Sequence, residues 1–320
     1  MFSLSVDSAA PYLASRGFGI CSDAVALGGG VSNAVIAVES AQGRIVVKQA
    51  LEKLRVEADW RSRPDRALRE ALALQKVAGI LTQGSVPEVL AVDAENCIYV
   101  MRAAPPAACD WKTLLLRGEV NPVVAARAGE ILGQIVQSTW LQPEWQSQFG
   151  DQTVFDELRL DPYFRYTASR FHEFAPFLEG LIADCRDRPV ALVHGDWSPK
   201  NLLIHNGNVT AIDFEVVHFG NPAFDTGFLF THLLLKSIHR PELAGAYQSC
   251  AGEFWRAYNA AQSWLWPATV AQLSGLLLAR VAGKSPAEYL TGPQKAIAWQ
   301  CAAAILKSPP GSIREVWQCL

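Results

Sequence analysis

Along the first hundred residues the apolar positions recur in short β-branched runs. Val31 to Val38 and Arg44 to Gln49 are parted by the turn residues Ser40 to Gly43, and Val89 to Val92 and Cys97 to Met101 flank Asp93 to Asn96. These runs read as an antiparallel sheet. One helical pattern interrupts them, from about Pro64 to Val77, with Ala67, Leu68, Ala71, Leu72 and Leu74 on one side and Pro64 suited to a first turn. After Arg102 the text becomes Ala-Ala-Pro-Pro-Ala-Ala, which sustains no helix and reads as a hinge. From Trp111 the periods are helical, over 123–139, 163–183, 226–237, 242–261, 270–281 and 293–306, broken by short strands near Leu192, Leu202 and Ala211. The pattern therefore predicts an α+β chain in two lobes: a sheet-rich lobe over 1–102, a hinge over 103–110 and a mainly helical lobe over 111–320.

Composition narrows the function classes. The 320 residues are 50% hydrophobic with a net charge of -3, enough to bury a sizeable core and no electrostatic reason to bind nucleic acid. The N-terminus has neither the basic start nor the apolar run of a signal peptide, and no run approaches the roughly 18 consecutive apolar residues of a membrane helix, so no membrane partner and a cytoplasmic location are expected. The seven cysteines form no C-x-x-C pair and are odd in number, which argues against both a zinc site and a disulfide framework.

The chemistry concentrates in Val193-His194-Gly195-Asp196-Trp197-Ser198-Pro199-Lys200-Asn201, followed by two apolar strands and then Ala211-Ile212-Asp213-Phe214-Glu215. Either piece alone would be an ordinary turn acid. In this order, parted by a hairpin, they bring two carboxylates and a carboxamide to strand ends. Phosphoryl transfer needs a carboxylate to orient the attacking hydroxyl and oxygen ligands for magnesium. Asp196 fits the first task; Asn201 and Asp213 fit the second.

This H-G-D-x-x-x-x-N and I-D-x-E arrangement resembles the aminoglycoside phosphotransferase and choline kinase superfamily, whose fold is that of protein kinases. The resemblance implies a bilobal kinase fold, ATP and Mg2+ as cofactors, and a small-molecule hydroxyl as acceptor. It gives His194 a structural place beneath the catalytic loop and makes Asp225 the brace of that loop. Lys200 stands where a glycine is common, and its role stays open between phosphate and solvent.

The sheet-rich lobe supplies further matches. Gly28, Gly29, Gly30, Val31, Ser32 and Asn33 lie between strand segments, where glycines let backbone amides approach a polyphosphate. Lys48 sits in an otherwise apolar strand, where a lysine is costly unless it meets an anion, and Glu70 in the next helix is the expected partner. In kinases such a pair positions the nucleotide phosphates. Met101, Arg102 and Ala103 would offer the backbone against which adenine lies. A non-catalytic nucleotide binder is the alternative, but every expected polar group is present.

A narrower likeness is to the 5-methylthioribose kinase family, carried by Val-Lys-Gln-Ala-Leu at 47–51, Asp-Arg-Ala-Leu-Arg-Glu at 65–70 and Ile-Asp-Phe-Glu-Val-Val-His-Phe-Gly-Asn-Pro at 212–222. It implies a sugar-like acceptor. The chain departs from that family at Ser198 to Asn201 and lacks its paired arginines, with only Arg280 nearby. Glu215 and Arg280 are candidate acceptor contacts, although a helix-end arginine also satisfies carbonyls.

Overall fold

The computed structural model describes residues 2–28, 32–55 and 60–320. They form two compact units, one of residues 1–106 with 210–216, the other of 107–209 with 217–320. The first break falls inside Ala-Ala-Pro-Pro-Ala-Ala. The short segment 210–216 joins the first unit because Thr210 and Ala211 bond the carbonyls of Gly84 and Ser85 at 2.7 and 2.8 Å.

The first unit carries a five-stranded sheet with all pairs antiparallel, in the order β1-β2-β3-β5-β4. Its strands are β1 (Ser22–Ala26), β2 (Asn33–Ser40), β3 (Gly43–Ala50), β4 (Val89–Asp93) and β5 (Ile98–Arg102). Alternation along β3 sends Ile45 and Val47 into an apolar core with Ile36, Val38, Ile98 and Val100. Val46 and Lys48 point to the opposite face, toward helix α2 (Arg66–Ala78). The buried side of α2 is Ala67, Glu70, Ala71, Leu74 and Val77, spaced three and four apart.

Helix α1 (Val6–Ser15) was not expected, since Pro11 lies inside it and its pattern is short. Ser5 and Ser8 start it by exchanging side-chain to backbone bonds at 3.2 and 2.9 Å, a capping box that sets its first turn before Pro11 matters. Its buried Ala9 and Leu13 then complete the core of the sheet.

The second unit is mainly helical. It opens with strand β6 (Cys109–Asp110) and helices α3 (Trp111–Arg117), α4 (Pro122–Thr139) and α5 (Pro143–Phe149). The predicted helix over 163–183 is broken. Short α6 (Thr153–Phe155) runs into a π-helical stretch, Asp156–Arg165, then α7 (Tyr166–Arg170), a 3-10 turn and α8 (Ala175–Asp187). Pro162 lies inside the π-helical stretch and removes a backbone donor there, consistent with the widened turn.

Strand β7 (Ala191–Val193) pairs antiparallel with β10 (His218–Gly220), and β6 pairs with β8 (Leu202–His205). The chain passes into the first unit within β9 (Asn208–Ala211) and returns after Val216. Helices α9 (Ala223–His239), α10 (Ala244–Tyr258), α11 (Leu265–Ala282), α12 (Gly292–Lys307) and α13 (Ile313–Trp317) follow. Backbones of α4 and α10 pack closely: a Cβ at Gly133 would lie 2.6 Å from the Tyr258 carbonyl oxygen. Helix α11 is long and apolar enough to cross a membrane, and 61% of it is buried inside the protein.

Candidate active site

In the first unit the site is built around Lys48. The β3 alternation turns it onto the α2 face, where it is 3% exposed. Its ammonium donates to Glu70 Oε1 at 2.9 Å and Asp213 Oδ1 at 2.6 Å. Burial alone would push Lys48 down, but Asp213 and then Glu70 hold it well above the ordinary lysine value, so it stays charged. Burial pushes Glu70 up to about 7 against the pull of Lys48. Asp213 has a φ of 68°, the left-handed region a non-glycine residue enters at a cost of about 1–2 kcal/mol. That backbone turn accompanies the aim of its carboxylate at Lys48.

Glu215 follows two residues later. It is 5% exposed and accepts from Ser32 Oγ at 2.7 Å, Asn33 Nδ2 at 2.8 Å and Arg66 Nε at 3.2 Å. Expected to meet an acceptor, it is instead spent inside this unit. Ser32 and Asn33, expected to face a nucleotide, use their side chains to anchor the loop to Glu215. Arg66, which sequence reasoning passed over, is the hub: it also donates to the carbonyls of Ser32, Leu51, Ser62 and Arg63 at 2.6, 2.9, 3.1 and 2.8 Å. Gly28 is exposed, while Gly29, Gly30 and Val31 lie outside the described residues. Met101 and Arg102 end β5. The N–H groups of Arg102 and Ala103 donate to the Glu88 and Arg44 carbonyls at 2.8 and 3.2 Å.

In the second unit the His194 to Asn201 loop leaves β7 at His194. Gly195 adopts φ 77°, a turn natural to glycine. The Asp225 carboxylate accepts from the N–H groups of His194 at 2.7 Å and Gly195 at 2.9 Å. Asp225 sits in the first turn of α9 and braces the loop, although Pro222 is the residue that caps the helix. His194 Nδ1 accepts from the Asp196 N–H at 3.1 Å, a structural task as expected. Asn201 Nδ2 donates to the Asp196 carbonyl at 2.9 Å, which leaves its carbonyl oxygen as the donor atom for a ligand.

The Asp196 carboxylate is 2% exposed, and burial demands partners for it. Two cations meet its Oδ2, Arg159 Nη2 at 2.9 Å and Lys200 Nζ at 2.9 Å. Lys200 therefore turns back onto the Asp196 carboxylate. Arg159 also donates from Nε to the Gly195 carbonyl at 2.8 Å, clamping both ends of the turn. No signal in the sequence points to Arg159, because the π-helical stretch that presents it lies far from the loop in the chain. Arg280, in the last turn of α11, donates to the Ser285 carbonyl and to Ser285 Oγ at 2.9 Å.

The sequence pattern of the phosphotransferase enzyme family (APH) matches residues 23–264, which include both of these constellations. The chain belongs to that family. It is a small-molecule kinase by that membership. Methylthioribose kinase of Yersinia enterocolitica is 29% identical over 272 residues, covering 74% of this chain and 68% of that protein. The enzyme of the same name from Yersinia pestis is 28% identical over 284 residues, covering 78% and 69%. Among solved structures, the apo form of a thermostable mutant of aminoglycoside phosphotransferase APH(4)-Ia shares the fold with a TM-score of 0.54 at 17% identity, over 95% of this chain and all of that one. A choline/ethanolamine kinase family protein from Mesorhizobium loti does so with a TM-score of 0.52 at 18% identity, over 98% and 90%. The family's phosphotransferase fold is thus the fold of this chain.

Proposed function

We propose that this phosphotransferase moves the γ-phosphate of ATP to a hydroxyl of a small sugar-like metabolite. The observation that carries the reading is Lys48, a buried ammonium gripped by one helix carboxylate and by Asp213. Such a cation has no structural need of two acids, and its charge is matched to nucleotide phosphates.

Asp196 accepts a hydrogen bond from the acceptor hydroxyl and aims its oxygen in line with the phosphorus. Arg159 and Lys200 hold that carboxylate in one orientation. Lys48 binds phosphate oxygens. Asn201 in one unit and Asp213 in the other each offer an oxygen of the kind magnesium takes together with substrate phosphates. Magnesium bound there would screen the phosphate charge during transfer. Positioning and charge neutralisation account for most of the rate. The methylthioribose kinase relatives support a sugar as acceptor.

The test is mass-spectrometric detection of phosphate added to a panel of 5-methylthioribose, other free sugars, choline, homoserine and aminoglycosides with magnesium and ATP. Asp196→Asn is expected to keep nucleotide binding and lose about 10²–10⁴-fold in turnover. Turnover unchanged in that variant would remove Asp196 from its role.

A further inference from the structure

Helix α9 carries charge that the transfer chemistry leaves unused. Lys236 is wholly buried, yet its ammonium donates only to the His232 carbonyl one turn back, at 3.3 Å. It lies 5.7 Å from the Tyr289 ring centre. Among the described residues no carboxylate forms an ion pair with Lys236, whereas Lys48 has two. A buried ammonium without a counter-charge is costly, and an apolar side chain would fill the same place without that cost.

The surroundings repeat the pattern. Arg280 reaches in from α11, and its Nε is buried without a hydrogen-bond partner, as are the Tyr289 hydroxyl and His239 Nδ1. Burial, then Lys236, Arg280, Lys200 and Lys112, hold the His232 imidazole well below its ordinary value. Burial, then Lys112 and Arg280, push the Lys236 ammonium down to about 7, and Asp110 is the one acid that opposes them. Four cations thus act on His232 of α9. Lys112 is exposed, Arg280 half-buried and Lys236 fully buried, so the cluster runs from the surface inward.

The cluster adjoins the catalytic loop within the same unit. Lys200 is bound to Asp196 at 2.9 Å while its charge acts on His232. A line of contacts makes the same connection, from Arg159 over the Tyr163 ring to Phe228 and then His232.

We propose that Lys236, Arg280 and Tyr289, with Lys112 at the outer edge, bind an anionic group, a carboxylate or a phosphate ester, carried by the phosphoryl acceptor. The inference rests on the small-molecule kinase reading and names its substrate class: an acidic sugar derivative, not a cationic aminoglycoside. An anion there would supply the counter-charge that Lys236 lacks and would bond the orphaned Arg280 and Tyr289 donors. Its distant hydroxyl would then lie toward Asp196.

The experiment has two arms. In the first, inorganic phosphate and glycerate are titrated without nucleotide into the wild type, Lys236→Met and Lys48→Met, with thermal melting as readout. Wild type and Lys48→Met are expected to be stabilised by at least one anion, and Lys236→Met to need about tenfold more of it, the loss of one charge-assisted bond. Response to glycerate alone assigns a carboxylate, and response to phosphate alone a phosphate ester. An indifferent wild type, or an equal response from Lys236→Met, overturns the site. Arg280→Gln serves as a second variant with the same expectation should Lys236→Met fail to melt cooperatively.

In the second arm, ribose with ribose 5-phosphate and glycerol with glycerate are offered as paired acceptors with magnesium and ATP. The anionic member is expected to have the lower KM, and Lys236→Met to raise that KM more than it lowers kcat. Preferred turnover of neutral or cationic acceptors overturns the anionic class and leaves the kinase reading intact. Anion binding lost in Lys236→Met, without phosphoryl transfer to any acceptor, supports the site and removes the sugar-like acceptor of the proposed function.

Discussion

Replacing Glu215 with glutamine isolates the brace of the first unit. The carboxylate holds Ser32, Asn33 and Arg66 at 2.7, 2.8 and 3.2 Å, and the Arg66 side chain is fully buried. Glutamine keeps the shape but withdraws the counter-charge and presents an amide donor to other donors. Breaking a buried pair from one side costs about 3–5 kcal/mol, because the remaining charge is left uncompensated. The retained oxygen can keep one neutral bond, which places the expected loss near the lower bound, about 3 kcal/mol. Urea unfolding followed by circular dichroism would show this as a lower midpoint at unchanged slope. The double variant Arg66→Met with Glu215→Gln should cost less than the sum of the two single changes, by about 1 kcal/mol or more, since no lone charge remains. KM for ATP should rise in Glu215→Gln, as Ser32 and Asn33 lose their anchor. A loss within about 0.5 kcal/mol of zero, the size of an ordinary surface substitution, would refute the reasoning.

Arg159→Met should lower kcat by about 10²-fold, with KM for ATP unchanged, because the guanidinium fixes Asp196 and Gly195; steady-state kinetics reads the split, and partial rescue by Arg159→Lys would mark a positioning role. Lys48→Met should raise KM for ATP and leave the buried Glu70 and the half-buried Asp213 without this cation, seen as weaker nucleotide binding by calorimetry. Lys236 binds its proton less tightly in the folded chain, at about 7 against an ordinary value of 10.5, so the unfolded chain holds more protons between those limits. Stability therefore rises with pH across that window, by at most about 1.4 kcal/mol per unit, and Lys236→Met should flatten the slope. His232, Arg280, Lys112, Asp110 and Tyr289 face the group, and the thermal midpoint between pH 7 and 9.5 tests it.

Much of the site was legible because its residues lie in short, ordered motifs. Asp196 and Asn201 are five residues apart on one turn, and Lys48 announced itself as a charge in an apolar strand. The helix that carries Glu70 follows from spacing, but its buried face does not wholly, since Leu72, placed on the apolar side, is exposed while Glu70 is buried. Helix α1 was hidden by Pro11, and the 163–183 pattern breaks at Phe171, whose φ of -132° and ψ of 78° part α7 from α8, a backbone turn that periodicity does not register. Glu215 was misplaced because the motif that carries it reveals its neighbours in sequence, not the Arg66 guanidinium 149 residues away.

The sequence by itself determined the strands of the sheet, the α+β division and the motifs that mark the family, since turns, periods and motif spacing are local properties of a chain. Tertiary structure alone decided which charges meet. Arg159 reaches Asp196 across 37 positions, Asp225 braces a loop 30 positions away, and Lys236 is buried with no carboxylate ion-paired to it among the described residues. Burial turns each of these pairings into a large energy, and burial is set by how helices and strands pack, not by any residue's neighbours in the chain.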